Sequence, residues 1–240
     1  MTKLLRSKDR KVANLVTPNG KQASIANTFG LPAGKAYSCP GATSVCETVC
    51  YAGKLEKVFP TVKKNLLHNW ELVKNASLNE ITALLTEMID EFNEECDKRN
   101  APKQFRIHWD GDFFNGTYTT AWHTVITNNP QIQFWVYTRV QNAAILLKDI
   151  PNLSLYYSTD SENKAIGVGL KTDHGISLAY LAKNFLVGQA DMKELTGKVG
   201  AKCPENKKAI PLISQKGSAC ATCKLCIYEK SDIVFSATKK

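Results

Sequence analysis

Three segments in the middle of the chain constrain its fold most strongly, because each has the residue types of a β-strand. The segments are rich in aromatic and β-branched residues and span residues 105–112, 132–139 and 153–160. Helical patterns lie between them over residues 117–127 and 143–148, and a fourth strand is predicted over residues 176–181. Strands and helices that alternate at this spacing predict right-handed βαβ units and a parallel sheet, so the expected fold class is α/β.

A long amphipathic helix is predicted just before the first of these strands. Ser77 and Glu80 have the spacing of a capping box, which marks the start of a helix. The apolar residues that follow recur on one helical face as far as Cys96. Cys96 is therefore interpreted as a small buried residue at the end of this apolar stripe.

Each of the three predicted strands ends in polar residues. These residues are Asp110, Gly111 and Asp112, then Thr138 and Arg139, and then Ser158 and Asp160. Polar side chains at the carboxyl ends of successive parallel strands are where α/β proteins build their sites. Strand alternation also predicts that Arg106, His108, Asp110 and Asp112 share one face, which leaves His108 open as a site residue. The alternative is that the aspartates and glycine only end the strands, as common turn residues.

Seven of the eight cysteines fall into two groups, one near each end of the chain. The first group is Cys39, Cys46 and Cys50, with C-x6-C-x3-C spacing, and the second is Cys203, Cys220, Cys223 and Cys226, with C-x16-C-x2-C-x2-C spacing. Grouped cysteines predict a metal site, either zinc or an iron–sulfur cluster. Four thiolates close a coordination sphere, whereas three leave one position open. The first group is expected in a loop, because Pro40 and Gly41 do not suit the opening of a regular helix.

The spacing of the second group favours an iron–sulfur cluster over zinc. Three cysteines in series at x2 intervals are typical of cluster ligation, whereas structural zinc usually draws paired C-x2-C motifs. Disulfides are the weaker alternative, because the N-terminus lacks the apolar core of a signal peptide and cytosolic thiols stay reduced. No stretch approaches the ~20 apolar residues that a membrane span needs. The sequence thus predicts a cytoplasmic protein without a membrane partner.

The net charge of +9 is concentrated at the two ends of the chain. Residues 1–24 carry six basic residues against one acidic residue, and residues 193–240 carry ten lysines against four acidic residues. One interpretation is that the basic ends contact the phosphates of a nucleic acid. The other is that these cations flank the cysteine groups and offset the negative charge of a thiolate-bound cluster. Charge alone leaves both interpretations open.

Several motif blocks resemble those of a phage protein family known as gene product 88. The blocks occur in the same order over about residues 36–228: C-P-G-A-T-x-x-C-x-x-x-C-Y-A at 39–52, R-I-H-x-x-G-D-F at 106–113, Tyr137-Thr138, Ser158-Thr159-Asp160, Cys203-Pro204 and the C-x-x-C-x-x-C run that ends at Cys226. The resemblance implies a phage or mobile-element origin. It also implies an iron–sulfur protein with a radical-SAM-like partial (β/α) barrel and cysteine-rich loops near both ends.

A three-cysteine group ahead of a β/α array is similar to the radical S-adenosylmethionine (SAM) enzymes, whose usual spacing is C-x3-C-x2-C. In those enzymes the open iron of a [4Fe–4S] cluster binds SAM, which makes SAM a candidate cofactor here. The resemblance implies cluster ligation by Cys39, Cys46 and Cys50. It implies catalytic roles for Asp110, Asp112 and Arg139, and cofactor contacts for Gly111, Asp112, Ser158 and Asp160. The other four grouped cysteines, Cys203, Cys220, Cys223 and Cys226, are then expected to hold an auxiliary cluster.

The chain is predicted to consist of a basic lead-in over residues 1–36, a β/α partial-barrel core over residues 37–200, and a cysteine-rich basic segment over residues 201–240 packed on the core. Three functions are left open. The first is a radical-SAM-type enzyme with one or two [4Fe–4S] clusters. The second is a non-catalytic cluster protein that binds a host protein or nucleic acid through its basic ends. The third is an α/β domain held together by zinc.

Overall fold

The computed structural model describes residues 2–229 and 231–238, which form eleven strands and nine helices. The strands are β1 (Asn14–Val16), β2 (Gln22–Ser24), β3 (Thr28–Gly30), β4 (Gln104–Asp110), β5 (Gln133–Thr138), β6 (Leu153–Thr159), β7 (Ser177–Ala182), β8 (Ala201–Lys202), β9 (Ile213–Ser214), β10 (Gly217–Ser218) and β11 (Ile233–Ser236). The helices are α1 (Ser44–Val49), α2 (Tyr51–Val58), α3 (Pro60–Val73), α4 (Leu78–Arg99), α5 (Gly116–Thr127), α6 (Gln141–Leu147), α7 (Lys164–His174), α8 (Phe185–Thr196) and α9 (Ala219–Cys223).

Seven of the strands form one parallel sheet. They lie in the order β3-β4-β5-β6-β7-β11-β8, and every neighbouring pair is parallel. The expected α/β class and parallel sheet are therefore confirmed, and the four predicted strands correspond to β4, β5, β6 and β7. Within the described residues the edge strands β3 and β8 do not pair with each other, so the sheet does not close into a barrel. A barrel-like curvature stays a prediction.

One face of the sheet packs against the long helices. Phe92 of α4, Phe105 of β4 and Trp122 of α5 are fully buried there, and the rings of Phe92 and Phe105 lie 5.0 Å apart. Burying side chains of this size contributes about 1.5–3 kcal/mol each. The predicted capping box forms between Ser77 and Glu80 at the start of α4. Cys96 is fully buried in the same core, which confirms its interpretation as a packing residue.

The opposite face of the sheet is covered by the two ends of the chain. Trp135 and Tyr156 point to this side, where they pack with Val12, Ile227 and Ile233. The hydroxyl of Ser154 donates a 2.7 Å hydrogen bond to the carbonyl of Ile227. Residues from both ends of the chain thus form a layer that holds the second cysteine group against the sheet.

An irregularity in β4 overturns one prediction about its two faces. His108 has φ +58°, and the register between β3 and β4 shifts beside it. The bulge turns His108 to the helix side, where its Nε2 lies 2.8 Å from the hydroxyl of Tyr118. Arg106 points to the other side, toward Asp9. The prediction that His108 and Arg106 share a face was wrong. A residue in the left-handed backbone region interrupts the alternation of side chains between the two faces of a strand.

Both segments that flank the predicted core contribute strands to the sheet. The lead-in over residues 1–36 supplies β3, and the segment over residues 201–240 supplies β8 and β11. Strand β11 lies inside the sheet, between β7 and β8. The predicted boundaries at these segments stay predictions. None of the described helices is both long and apolar enough to cross a membrane.

Candidate functional site

The segment that carries the first cysteine group lies across the carboxyl ends of three neighbouring strands. The amide of Leu31 donates a 3.0 Å hydrogen bond to the carbonyl of Asp110, at the end of β4. The hydroxyl of Thr43 donates a 2.5 Å hydrogen bond to the carboxylate of Asp160, just after β6. We call residues 31–50 the first cysteine segment. Its position is the edge at which parallel α/β sheets build their sites.

Two glycines let this segment approach the strand ends closely. A Cβ on Gly111 would lie 2.5 Å from the hydroxyl of Ser38, and Gly111 has φ +83°. A Cβ on Gly41 would lie 2.4 Å from the carbonyl oxygen of Arg139, at the end of β5. Both contacts are shorter than any side chain allows, so glycine is required at both positions.

Arg139 and Asp160 form a buried ion pair beneath the segment. The Nη1 atom of Arg139 lies 2.7 Å from Oδ2 of Asp160, and their side chains are 8% and 0% exposed. Thr43 bonds to the same carboxylate oxygen and also caps α1 by accepting a hydrogen bond from the amide of Cys46. Burial raises the pKa of the Cys46 thiol, and the positive charge of Arg139 opposes part of this shift.

Asp112 joins the ends of β4 and β5. Its carboxylate accepts hydrogen bonds from the hydroxyl of Thr138 at 2.6 Å, the amide of Phe113 at 2.7 Å and the amide of Arg139 at 2.8 Å. Burial raises the pKa of Asp112 to about 6, although these three donors oppose the shift. Because both oxygens already have donors within the chain, Asp112 holds the strand ends together.

Asp110 is buried in a different way. Its two buried side-chain oxygens make no hydrogen bond of ordinary geometry, although the Glu56 carboxyl and the Gly111 amide lie near them, and the residue is 3% exposed. Burial and the neighbouring carboxyl of Glu56 both raise its pKa well above the ordinary value. Glu56 is itself fixed by a 2.8 Å hydrogen bond from the amide of Ala33. Asp110 is therefore the strand-end carboxyl with acceptor capacity left for a ligand.

The three cysteines of the first group have different surroundings. Cys46 lies in α1 and Cys50 caps α2 by accepting a 3.3 Å hydrogen bond from the amide of Gly53, so the prediction of a simple loop was wrong for this part. The helices begin only after Pro40 and Gly41, where Thr43 supplies a cap. Burial and the charges of Asp112 and Asp110 raise the pKa of the Cys39 thiol. The first cysteine segment thus brings Cys39 to Asp110, Gly111 and Asp112, and Cys46 to Arg139 and Asp160.

Ser158, the other predicted contact, lies half-buried in β6. Its carbonyl accepts a 3.1 Å hydrogen bond from the side-chain amide of Asn163. The same side chain accepts a 2.8 Å bond from the amide of Asp160 and so shapes the end of β6. These contacts place Ser158 next to the predicted site and assign its side chain no ligand.

The second cysteine group converges on one small pocket against the sheet. Its walls include all four cysteines, Cys203, Cys220, Cys223 and Cys226, together with Ile227 and Ile233. The pocket encloses about 20 Å³, which is room for one water-sized group. Cys203 comes from the end of β8 and the others from α9 and the turn after it. The four cysteines of the second group, which come from distant positions in the chain, therefore line the same pocket.

Burial disfavours the thiolates in this pocket, and the nearby cation of Arg106 opposes that effect. Burial raises the pKa of the Cys220 thiol, the cation of Arg106 lowers it, and Cys226 and Cys203 raise it further. Burial likewise raises the pKa of Cys226 to about 12, while the hydroxyl of Tyr137 and Arg106 oppose the shift. The charge of Cys203 raises the pKa of both Cys220 and Cys226, so the titrations of these thiols are coupled.

The thiols are near one another without forming a closed ion site. Within the described residues, no three histidine, cysteine, aspartate or glutamate side chains are arranged to hold a single metal ion. All eight cysteines are free thiols. The chemistry of four convergent thiols with apolar walls and an adjacent cation still fits a thiolate-ligated centre. A single zinc ion needs no more room than the present volume of about 20 Å³, whereas a [4Fe–4S] cluster requires the pocket to widen.

Several residues of this region were not singled out from the sequence. Arg106 pairs with Asp9 at 2.9 Å, and Lys11 pairs with Glu205 at 2.9 Å, which ties the N-terminal segment to the second cysteine group. Nothing in the sequence signals these pairings, because their partners lie far apart in the chain. The sequence placed Arg106 only on one face of its strand, with His108 and Asp110, and gave it no partner.

Some of the basic residues near the N-terminus form ion pairs with acidic residues of the same chain. Lys3 pairs with Glu91 at 2.6 Å and Arg6 with Glu95 at 2.9 Å. With Lys11, three of the six cations counted over residues 1–24 therefore form internal ion pairs. This arrangement fits a role in holding the lead-in to α4 and to the C-terminal segment.

The fold and the site define an α/β protein with a parallel sheet, one cysteine segment across its carboxyl edge and a four-cysteine pocket on one face. A sequence profile for the family described as Gene product 88 matches residues 2–229, and the chain belongs to this family. The Gene 88 proteins of Mycobacterium phage L5 and Mycobacterium phage D29 are 51% and 49% identical to it, with full coverage of both chains in each case. No solved structure matches the chain. The resemblance to a phage family is thus confirmed, and its iron–sulfur and radical-SAM aspects stay proposals.

Proposed function

We propose that the chain is an iron–sulfur protein that holds a [4Fe–4S] cluster through its second cysteine group. The observation that carries this proposal is the convergence of Cys203, Cys220, Cys223 and Cys226 on one pocket. Their C-x2-C-x2-C series is typical of cluster ligation, and four thiolates satisfy all four irons. Zinc is the competing metal, since it also accepts four thiolates.

The surroundings of the pocket suit a centre of net negative charge. Ile227 and Ile233 keep water from its walls, and the cation of Arg106 lies close enough to favour two of the thiolates. A bound cluster supplies one-electron redox chemistry and, in addition, a cross-link between β8 and the C-terminal segment. The chain itself supplies the ligands, the apolar shield and the compensating charge.

Cysteine variants test which group holds the cluster. Cys203→Ser combined with Cys223→Ser should abolish iron and sulfide uptake by this centre after anaerobic reconstitution, together with its visible absorption. Cys96→Ala is the matched control, because Cys96 is buried in the helix-side core and should leave uptake unchanged. Retention of the full iron content by the double variant would overturn the proposal.

We further propose a radical-SAM-like role for the first cysteine segment, on a partial-barrel sheet. The observation that favours it is the position of Cys39, Cys46 and Cys50 over the strand ends that carry Asp110 and Arg139. In this proposal the three cysteines hold a second [4Fe–4S] cluster with one open position, and SAM binds there. Asp110 is the available carboxyl for the amino group of SAM, because the oxygens of Asp112 are already occupied by donors of the chain.

The response of the reduced protein to SAM tests this second proposal. The electron paramagnetic resonance spectrum should change when SAM is added, and the change should be lost in the Cys46→Ser variant. Asp110→Asn should weaken SAM binding while the iron content stays the same. A spectrum that does not respond to SAM would leave the four-cysteine centre as the one functional site of the account.

A further inference from the structure

Arg106 lies between the two cysteine groups and contacts elements of both. Its guanidinium donates a 2.9 Å hydrogen bond to Asp9 and a 3.3 Å hydrogen bond to the hydroxyl of Tyr51. Tyr51 directly follows Cys50 in the chain. The guanidinium carbon also lies 5.6 Å from the ring centre of Tyr137, whose hydroxyl favours the Cys226 thiolate. Arg106 thus lies on the side of the sheet where Tyr137 packs with Cys220 and Cys226.

Two nitrogen atoms of the Arg106 guanidinium group donate hydrogen bonds that fix its position, and the third, Nε, has no acceptor. The hydroxyl of Tyr51 donates to the carbonyl of Trp109 at 2.8 Å, so it is free to accept from Arg106. The Arg106 side chain is 12% exposed and that of Asp9 is 13% exposed. The Nε atom of Arg106 is buried and has no hydrogen-bond partner. A buried N–H without an acceptor destabilises the fold, and a newly formed anionic acceptor would remove that cost.

We propose that Arg106 sets the reduction potential of the four-cysteine centre, with Asp9 and Tyr51 as the residues that hold it in place. This inference rests on the proposed iron–sulfur function. A positive charge next to an anionic cluster stabilises the reduced form more than the oxidised form, because reduction adds one negative charge. Hydrogen bonds to cluster sulfurs act in the same direction. Arg106 is therefore a positioning and charge-setting residue, and Asp9 acts on the centre with the opposite sign.

Because Arg106 and Asp9 carry opposite charges, replacing each of them should shift the reduction potential of the four-cysteine centre in opposite directions. The potential is measured by dithionite titration of the full chain, on the signal that disappears in the Cys203→Ser variant. Arg106→Met should shift the potential to more negative values, and Arg106→Lys should restore part of the shift. Asp9→Asn should shift it to more positive values. Arg99→Met, which changes an exposed arginine of α4, is the control and should have no effect.

The possible outcomes separate this inference from the proposed function. If Arg106→Met fails to fold, Arg106→Lys and Asp9→Asn decide the question by the sign of their shifts. Damage to the fold alone would not produce shifts of opposite sign for the two residues. A wild-type potential in all three variants with normal iron content would overturn the role of Arg106 and leave the centre intact. A wild-type chain that takes up no iron would overturn both.

Discussion

The hydroxyl of Thr43 donates a 2.5 Å hydrogen bond to the carboxylate of Asp160, and this contact joins the first cysteine segment to the end of β6. The same carboxylate pairs with Arg139 at 2.7 Å, at the end of β5. One oxygen therefore connects three parts of the chain that are far apart in sequence. The contact fixes Cys46, three residues after Thr43, at the carboxyl edge of the sheet.

Asp160→Asn should destabilise the protein by about 3–5 kcal/mol, because it leaves the buried cation of Arg139 without its counter-charge. Urea-induced unfolding measures this change. Asp149→Asn is the matched control, since Asp149 forms an ion pair with Lys148 on a side chain that is 84% exposed. Indistinguishable unfolding midpoints for the two variants would show that the Arg139–Asp160 pair does not hold the segment.

Gly111→Ala should destabilise the protein by about 1–3 kcal/mol, the typical cost of a residue forced into an unfavourable backbone region. The added methyl would also meet the Ser38 hydroxyl at 2.5 Å and the carbonyl oxygen of Leu31 at 2.8 Å. Gly116→Ala tests the same substitution at the first residue of α5, where nothing lies within 4 Å of the new Cβ. Thermal unfolding should separate the two variants, and equal losses would contradict the close approach.

The stability of the protein should depend on pH through Asp110. Burial and the Glu56 carboxyl raise the pKa of Asp110 in the folded state. Between about pH 4, the ordinary pKa of an aspartate, and the raised pKa, the folded chain therefore binds more protons than the unfolded chain. The contribution of Asp110 is present at low pH and is lost as the pH rises. The wild type should therefore lose stability relative to Asp110→Asn over this range. Parallel stability curves for the two proteins would refute the assignment.

The C-terminal strand should be part of the cooperative fold. Ile233 is fully buried in β11, between two neighbouring strands, and Ile233→Ala should cost about 2–5 kcal/mol. Ile213→Ala is the control, because Ile213 is 40% exposed in β9 and should change stability little. A small loss at Ile233, similar to that at Ile213, would show that β11 contributes little to the core.

The sequence predicted the parts of the fold whose signals are local and regular. Strands β4, β5 and β6 carry runs of aromatic and β-branched residues, and α4 has a complete capping box at Ser77. Helix α7 was missed because Gly167 and Gly169 interrupt its helical pattern. Strand β11 was missed because four residues give too short a pattern to recognise.

The sequence predicted which residues belong to the candidate site better than it predicted how they are arranged. The strand-end residues lie along one edge of the sheet, because parallel strands end there, and the four cysteines of the second group line one pocket. The bulge at His108 and the pairing of Arg106 with Asp9 depend on tertiary contacts that no local pattern encodes. The difference in hydrogen bonding between Asp110 and Asp112 also emerged only from the structure, since the sequence treats the two residues alike.

The metal content of the chain purified without oxygen tests the central claim most directly. Iron, zinc and acid-labile sulfide are counted per chain in the same sample. If the iron–sulfur assignment is right, each filled centre holds about four irons and about four sulfides, and the zinc content is far lower than the iron content. Zinc without sulfide, or a chain without metal after reconstitution with iron and sulfide, would contradict the iron–sulfur assignment of Cys203, Cys220, Cys223 and Cys226.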